Sequence, residues 1–251
     1  LDIKCRAAGI WPSAVVVVAT LRALKYHGGV EVKDVQTPNT EAVLEGMSNL
    51  VHHCTNLRDI YGLTPVVCFN RFPSDTDEEM AAAIEHLDSL GIAAVESTHW
   101  ADGGKGALRL SEAVVEAAEN AGDGDPAERA RYSYELDQPL EDKIRTIAQR
   151  IYGASDVEIP AKVKRKLKQI TDEGYGDAPI CVAKTQYSLS TDPSLRGAPT
   201  GHVIEVRDVR LSAGAGFVVV IAGDIMTMPG LPKEPSALKI DVTEDGDITG
   251  L

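Results

Sequence analysis

Residues 66–106 hold a strand, a helix and a second strand in succession, and that order constrains the fold more than any other feature of the chain. Val66, Val67, Cys68 and Phe69 make an apolar run without alternation, the pattern of a strand buried on both faces. A helix is predicted over residues 78–90, with Ser74, Asp75 or Thr76 as N-cap and Gly91 as the stop. The run 92–95 supplies the next strand. Parallel strands joined by a helix end on one side of a sheet, so the following segments, 70–76 and 99–106, are delivered to a single edge. Open α/β sheets bind their ligands at such an edge. Phe72 and Trp100 are therefore expected to be neighbours. The chain has only three Phe and two Trp. An aromatic placed just after each of two strands suits a clamp for a flat ring, although each could equally pack against its own strand end.

The rest of the sequence extends the same architecture. Residues 14–20 (AVVVVAT) form the most apolar β-branched run, expected as a central parallel strand covered on both faces. A short helix is predicted over 20–28, and helical spacing runs through Val43, Leu44, Met47, Leu50, Val51 and Cys54 in segment 40–57. His52 and His53 flank that face without a cysteine or acidic partner at metal-ligand spacing, which favours a helix flank over a zinc site. An Ala-rich helix over 107–121 should break at Gly122–Pro126, and helices are predicted over 139–152 and 160–173. Strands are predicted at 180–183, 203–206 and 217–221, an irregular loop at 226–233, and a hairpin turning at Asp245-Gly246 between 240–242 and Ile248.

At 251 residues the chain can bury a substantial core. A net charge of −13 disfavours a nucleic-acid or anionic-membrane surface. The one basic cluster, Lys162, Lys164, Arg165, Lys166 and Lys168, alternates with Val163, Leu167 and Ile170, as on the solvated face of an amphipathic helix. Cys5, Cys54, Cys68 and Cys181 are dispersed without a CxxC pair, which suits a reducing cytoplasm. No apolar run is long enough to span a bilayer, and no secretory leader is recognisable. The opening Leu1-Asp2-Ile3-Lys4-Cys5 lacks Met and reads as an element under way, so a fragment or one piece of a divided protein is expected.

Three polar clusters follow predicted strands: 70–76, with Asn70 and Phe72; 99–106, with Trp100; and 184–190, with Lys184. Together they offer aromatic faces, amides, hydroxyls and a lysine, without the Ser-His-Asp order or paired carboxylates of a hydrolase. Gly103-Gly104-Lys105-Gly106 is not a phosphate loop: position 99 is His where the motif needs Gly, and position 106 is Gly where it needs Ser or Thr.

DIKCR at 2–6, VVVVATLRALKYHGG at 15–29, NRFPSDT at 70–76, HWADGG at 99–104, KIRTIAQRIYGA at 143–154, AKTQYSLS at 183–190 and MTMPGLPK at 226–233 together resemble the C-terminal half of formate–tetrahydrofolate ligase. The seven blocks occur in order over nearly the whole length. The resemblance implies an α/β protein of mostly parallel sheets with flanking helices, part of a P-loop-type nucleotide domain plus a smaller α/β domain. Residues 1–60 and 217–251 would belong to the nucleotide domain and 61–216 to the domain carrying the folate-stacking wall. It further implies ligation of formate to tetrahydrofolate with ATP and Mg²⁺, through formyl phosphate, in a cytoplasmic homo-oligomer. Phe72 and Trp100 would stack on the folate, with Asn70 and Lys184 as further substrate-binding residues. The family's Walker A loop and formyl-phosphate-holding basic residues lie in its N-terminal half, absent here, and Thr191 stands where an acidic residue is expected. The missing half would have to come in cis or in trans. The alternative is a non-catalytic folate-binding or assembly subunit that has lost ATP chemistry.

Overall fold

The computed structural model describes residues 1–121, 125–225, 234–244, 246 and 248–250. After a short helix α1 (Lys4–Ala8), strand β1 (Val15–Ala19) leads into α2 (Leu21–His27), capped by the Thr20 hydroxyl accepting from the Ala23 N–H at 3.1 Å. Helix α3 (Thr40–Thr55) is capped in the same way by Asn39. Strand β2 (Pro65–Asn70), helix α4 (Asp77–Ser89) and strand β3 (Ala94–Ser97) then form the expected strand–helix–strand unit. Thr76 and Glu79 close α4 with a reciprocal capping box, satisfying two amides that a helix start otherwise leaves open. The first sheet is parallel throughout, in the order β1-β2-β3.

That order corrects one expectation. The centre of this sheet is β2, not β1. Val66, Val67, Cys68 and Phe69 are all buried, whereas Val16 and Val18 of β1 are 37% and 66% exposed. In-register partners point to the same face, so Val17 and Ala19 join Val67 and Phe69 in a core with Leu21, Leu24, Val43, Met47, Met80 and Leu87. On the other face, Val66 and Cys68 are covered while their partners Val16 and Val18 are not. Helices α5 (His99–Asp102) and α6 (Leu108–Glu119) follow β3, and α6 packs on β2 and β3.

The chain continues through α7 (Pro126–Arg129) and α8 (Leu140–Thr146) into a second sheet built from β4 (Asp156–Glu158), β5 (Ile180–Ala183), β6 (Val203–Ser212) and β7 (Phe217–Ala222). Its order is β4-β6-β7-β5, with β4/β6 and β5/β7 parallel and β6/β7 antiparallel. Helix α9 (Ala161–Ile170) buries Val163, Leu167 and Ile170 and leaves its lysines to pair at the surface, Lys164 with Glu141, Lys166 with Asp208 and Lys168 with Asp172. The basic cluster is thus a solvated helix face. A two-stranded hairpin, β8 (Asp241–Val242) with β9 (Ile248–Thr249), comes last. The predicted 226–233 loop, the 122–124 breaker and the turn residue Asp245 lie outside the described residues.

Two hydrophobic clusters form most of the core, one between Ala19 and Ile92 and one between Tyr134 and Ala222. Strand β1 pairs with β2, and β7 pairs with both β5 and β6.

Helices α2 and α3 touch backbone to backbone through two glycines. A Cβ on Gly28 would lie 1.9 Å from the Ala42 carbonyl oxygen, and one on Gly46 would lie 1.9 Å from that of Leu24. No rotamer relieves an overlap with main chain. Gly46→Ala should therefore force the helices apart and cost at least the roughly 1–3 kcal/mol typical of core overpacking. Urea midpoints measure it, and an unchanged midpoint would disprove the close crossing.

Candidate functional site

The carboxyl ends of β2 and β3 meet at Asn70 and Ser97, which are paired in register. Beyond them the 70–76 segment is fixed by its own side chains. The Arg71 N–H donates to the Ser97 carbonyl at 3.1 Å, and the Arg71 guanidinium bridges Glu96, at 2.7 Å, and Asp77. Asp75, 5% exposed, accepts from the Phe72 N–H at 2.9 Å and closes a turn that presents the phenyl ring. The Arg22 guanidinium stands 4.1 Å from the Phe72 ring centroid and donates to Ser74, a cation–π contact that backs the ring. Arg22 was not singled out from the sequence. It lies just past β1, so the strand-end logic applied to residues 66–106 would have found it.

On the other side, Thr98 closes a compact loop. Its N–H donates to the Gly106 carbonyl at 3.1 Å and its hydroxyl to Asp102 at 2.6 Å. A Cβ on Gly106 would come within 2.6 Å of Thr98 and His99 main-chain atoms, so this glycine serves loop closure. Trp100 projects from α5 with 73% of its surface exposed, unusual for an indole. Arg71, Phe72, Pro73, Thr98, Trp100 and Asp102 line an open cleft of about 320 Å³. The two aromatics are thus brought together. At the root of the same loops, Asn70 Oδ1 and Asp75 Oδ1 are buried acceptors with no hydrogen-bond partner among the described residues.

The third cluster does not join them. Lys184 follows β5 of the second sheet and lines a separate cavity of about 290 Å³ with His27, Asn49, His53 and Tyr152. Its ammonium donates to the Thr185 and Ser188 carbonyls and sits 4.9 Å over the Tyr152 ring, so it staples its own loop. Burial lowers the Lys184 pKa to about 8. Burial, with neighbouring positive charge, also lowers His27 and His53. A roomier hollow of about 390 Å³, between Trp11, Leu63 and Arg131, lies at the opposite ends of β1 and β2.

Fold and cleft together define an α/β protein with an open recess, lined by two aromatic side chains, at the carboxyl ends of parallel strands, the position where such sheets hold small-molecule ligands. Comparison with known proteins gives the family. The model of the formate–tetrahydrofolate ligase family matches residues 1–251, and the chain belongs to that family. It is 51% identical to the formate–tetrahydrofolate ligase of Methylibium petroleiphilum over 251 residues and 54% identical to that of Methylobacterium nodulans over 253. Each comparison covers 100% of this chain and 44% of the relative. The chain thus spans less than half the length of the curated relatives it matches.

Proposed function

We propose that this chain supplies the tetrahydrofolate-stacking wall of a formate–tetrahydrofolate ligase, with the pterin held between Phe72 and Trp100. The observation carrying this reading is the open cleft that these two rings share, one ring backed by a guanidinium and the other free to meet a ligand. A pterin has a broad π surface, which the two aromatic rings of the cleft complement. Lys184, in its separate cavity, is at most an indirect contributor to this site.

In the complete reaction we propose, formate oxygen attacks the γ-phosphorus of ATP, giving formyl phosphate and ADP. The N10 amine of tetrahydrofolate then attacks the formyl carbon, loses its proton, and expels phosphate. We assign none of these steps to a residue of this chain. Among the described residues no group of three His, Cys, Asp or Glu side chains is placed to hold a metal ion. Residues 103–107 form a tight helical turn instead of a phosphate cradle. In this reading ATP and Mg²⁺ are held mainly by the part of the enzyme outside this chain, as the resemblance to the family implies.

Stacking of a flat heterocycle on an aromatic side chain contributes about 1–3 kcal/mol in other systems, so Trp100→Ala should weaken tetrahydrofolate binding roughly ten- to a hundredfold. Phe72→Ala should act in the same direction. Titration calorimetry measures both. Affinities within a factor of two of the parent in both variants would remove the clamp.

A further inference from the structure

The polar segment after β5 takes no part in the aromatic cleft, and the hollow it closes has a chemistry of its own. The loop from 184 to 197 packs on α2 and α3, where the Gly197 N–H donates to His27 Nδ1 at 3.1 Å and the Asn49 amide donates to the Gly197 carbonyl at 2.9 Å. The cavity of about 290 Å³ between these elements is lined by His27, His53 and Lys184 and, among the described residues, by no aspartate or glutamate. Three bases around one hollow without a counter-charge stand out in a chain of net charge −13. The charged and titratable groups packed about them do not supply one. Arg196, which acts on His27, is held by Glu31 and the Val30 carbonyl. His52, edge-on to His53, turns Nε2 to the Ile151 carbonyl, Tyr152 lies under the Lys184 ammonium, and His202 is a further base on which Lys184 acts.

The bonding capacity left over is that of donors. Because His27 Nδ1 accepts from Gly197, a neutral His27 carries its proton on Nε2. The Lys184 ammonium has three N–H groups and gives two to the Thr185 and Ser188 carbonyls. The Asn49 amide has a second hydrogen beyond the one given to Gly197. We propose that this hollow is a binding site for a small oxyanion, a phosphate-type or carboxylate group, held by the Lys184 ammonium, the His27 Nε2–H and the Asn49 amide, with His53 at the mouth. The site is independent of the pterin reading. Burial lowers Lys184 to about 8, and burial with neighbouring positive charge lowers His27 and His53. An anion among these groups favours their charged forms and reverses each shift. Binding therefore takes up protons and strengthens as pH falls.

Titration calorimetry on the folded 251-residue chain tests the site, with sulfate as one probe and glutarate as the other. Sulfate keeps one charge state over the range in which the bases titrate, so a pH dependence of its binding belongs to the protein. At least one of the two anions should bind saturably below about 10 mM, and the tighter one names the source. Affinity should rise between about pH 9 and about pH 6, by up to about tenfold per pH unit for each proton taken up. Lys184→Gln should weaken binding about tenfold or more, the usual size of a lost hydrogen bond to a charged group. Lys184→Arg should retain most of the affinity, and Lys168→Gln, on the solvated face of α9, should leave it unchanged. Absence of saturable binding by both anions, an affinity that does not vary with pH, or a Lys184→Gln loss matched by Lys184→Arg or Lys168→Gln would each overturn the proposal. If the chain does not melt cooperatively, crystals of the full-length ligase soaked in selenate decide the matter. An anomalous peak within hydrogen-bond reach of Lys184 and His27 supports the site, and an empty hollow overturns it.

Discussion

Glu79→Ala should remove about 3–5 kcal/mol of stability, the usual cost of deleting one partner of a buried ion pair. Both side chains of the Lys25–Glu79 pair are fully buried, 2.9 Å apart. The Glu79 carboxylate also accepts from the Asn39 N–H at 2.8 Å and from the Thr76 N–H and hydroxyl, so one anion ties α2, the start of α3 and the cap of α4 together. Alanine would leave the Lys25 ammonium buried with only the Thr37 carbonyl for company. Burial pushes the Glu79 pKa up, but the Asn39 amide, the Lys25 ammonium and Thr76 outweigh it and hold it below its ordinary value of 4.5. A carboxylate with a depressed folded-state pKa stabilises fully above its unfolded pKa, and that contribution fades as pH falls through the folded value. Urea unfolding at neutral pH should show the full loss, and the gap between parent and variant should narrow as pH falls below the ordinary carboxylate value of 4.5. Lys25→Met with Glu79→Leu should recover much of the loss, because the apolar pair leaves no charge unpaired. A Glu79→Ala loss under 1 kcal/mol, or a gap independent of pH, would show that the pair does not hold the three helices together.

The consequence reaches the cleft. Thr76 ends the segment that carries Phe72, so the interaction that caps α4 also fixes the far end of one clamp loop. Nothing local announces this. Glu79 reads as an ordinary first-turn acid and Lys25 as an ordinary basic residue near a helix end, and only the tertiary fold brings positions 54 apart in sequence into contact. The strand–helix–strand unit was legible because its signals are local: a four-residue apolar run, a capping residue and a glycine stop. The shared edge of Phe72 and Trp100 followed from handedness and parallel pairing alone. Two errors have a common origin. The valine run 15–19 has the composition of a two-sided strand, but coverage depends on elements from elsewhere, and among the described residues one face and one edge have none. Lys184 also follows a parallel-paired strand, yet strand ends converge only within a sheet, and which sheet β5 joins is decided by its pairing with β7. Short β4, with three residues, gave no periodic signal to read.

The largest expected contrast is catalytic. The 251-residue chain alone should show no formate- and tetrahydrofolate-dependent ADP release, and joining it to the remainder of the enzyme should restore turnover. Phosphoryl transfer relies on positioned positive charge around the γ-phosphate: a cradle of backbone N–H groups, a lysine and a hydroxyl on the metal. One charge-stabilising arginine in such sites contributes about 10³–10⁵ in rate, so loss of the whole cradle should exceed that range. The sequence holds no GxxxxGK[ST] loop, and its nearest approach, Gly103-Gly104-Lys105-Gly106, is folded as a helical turn in which Gly103 has a φ of 59°. A silent assay carries weight only if the chain is folded, so a cooperative melt must come first, and the destabilised Glu79→Ala variant calibrates that melt. Folate binding without turnover by the folded chain, lost in Trp100→Ala, is the expected result. Turnover by the chain alone at a rate comparable with the joined protein would place the nucleotide site within these residues and overturn the division of labour between the two parts.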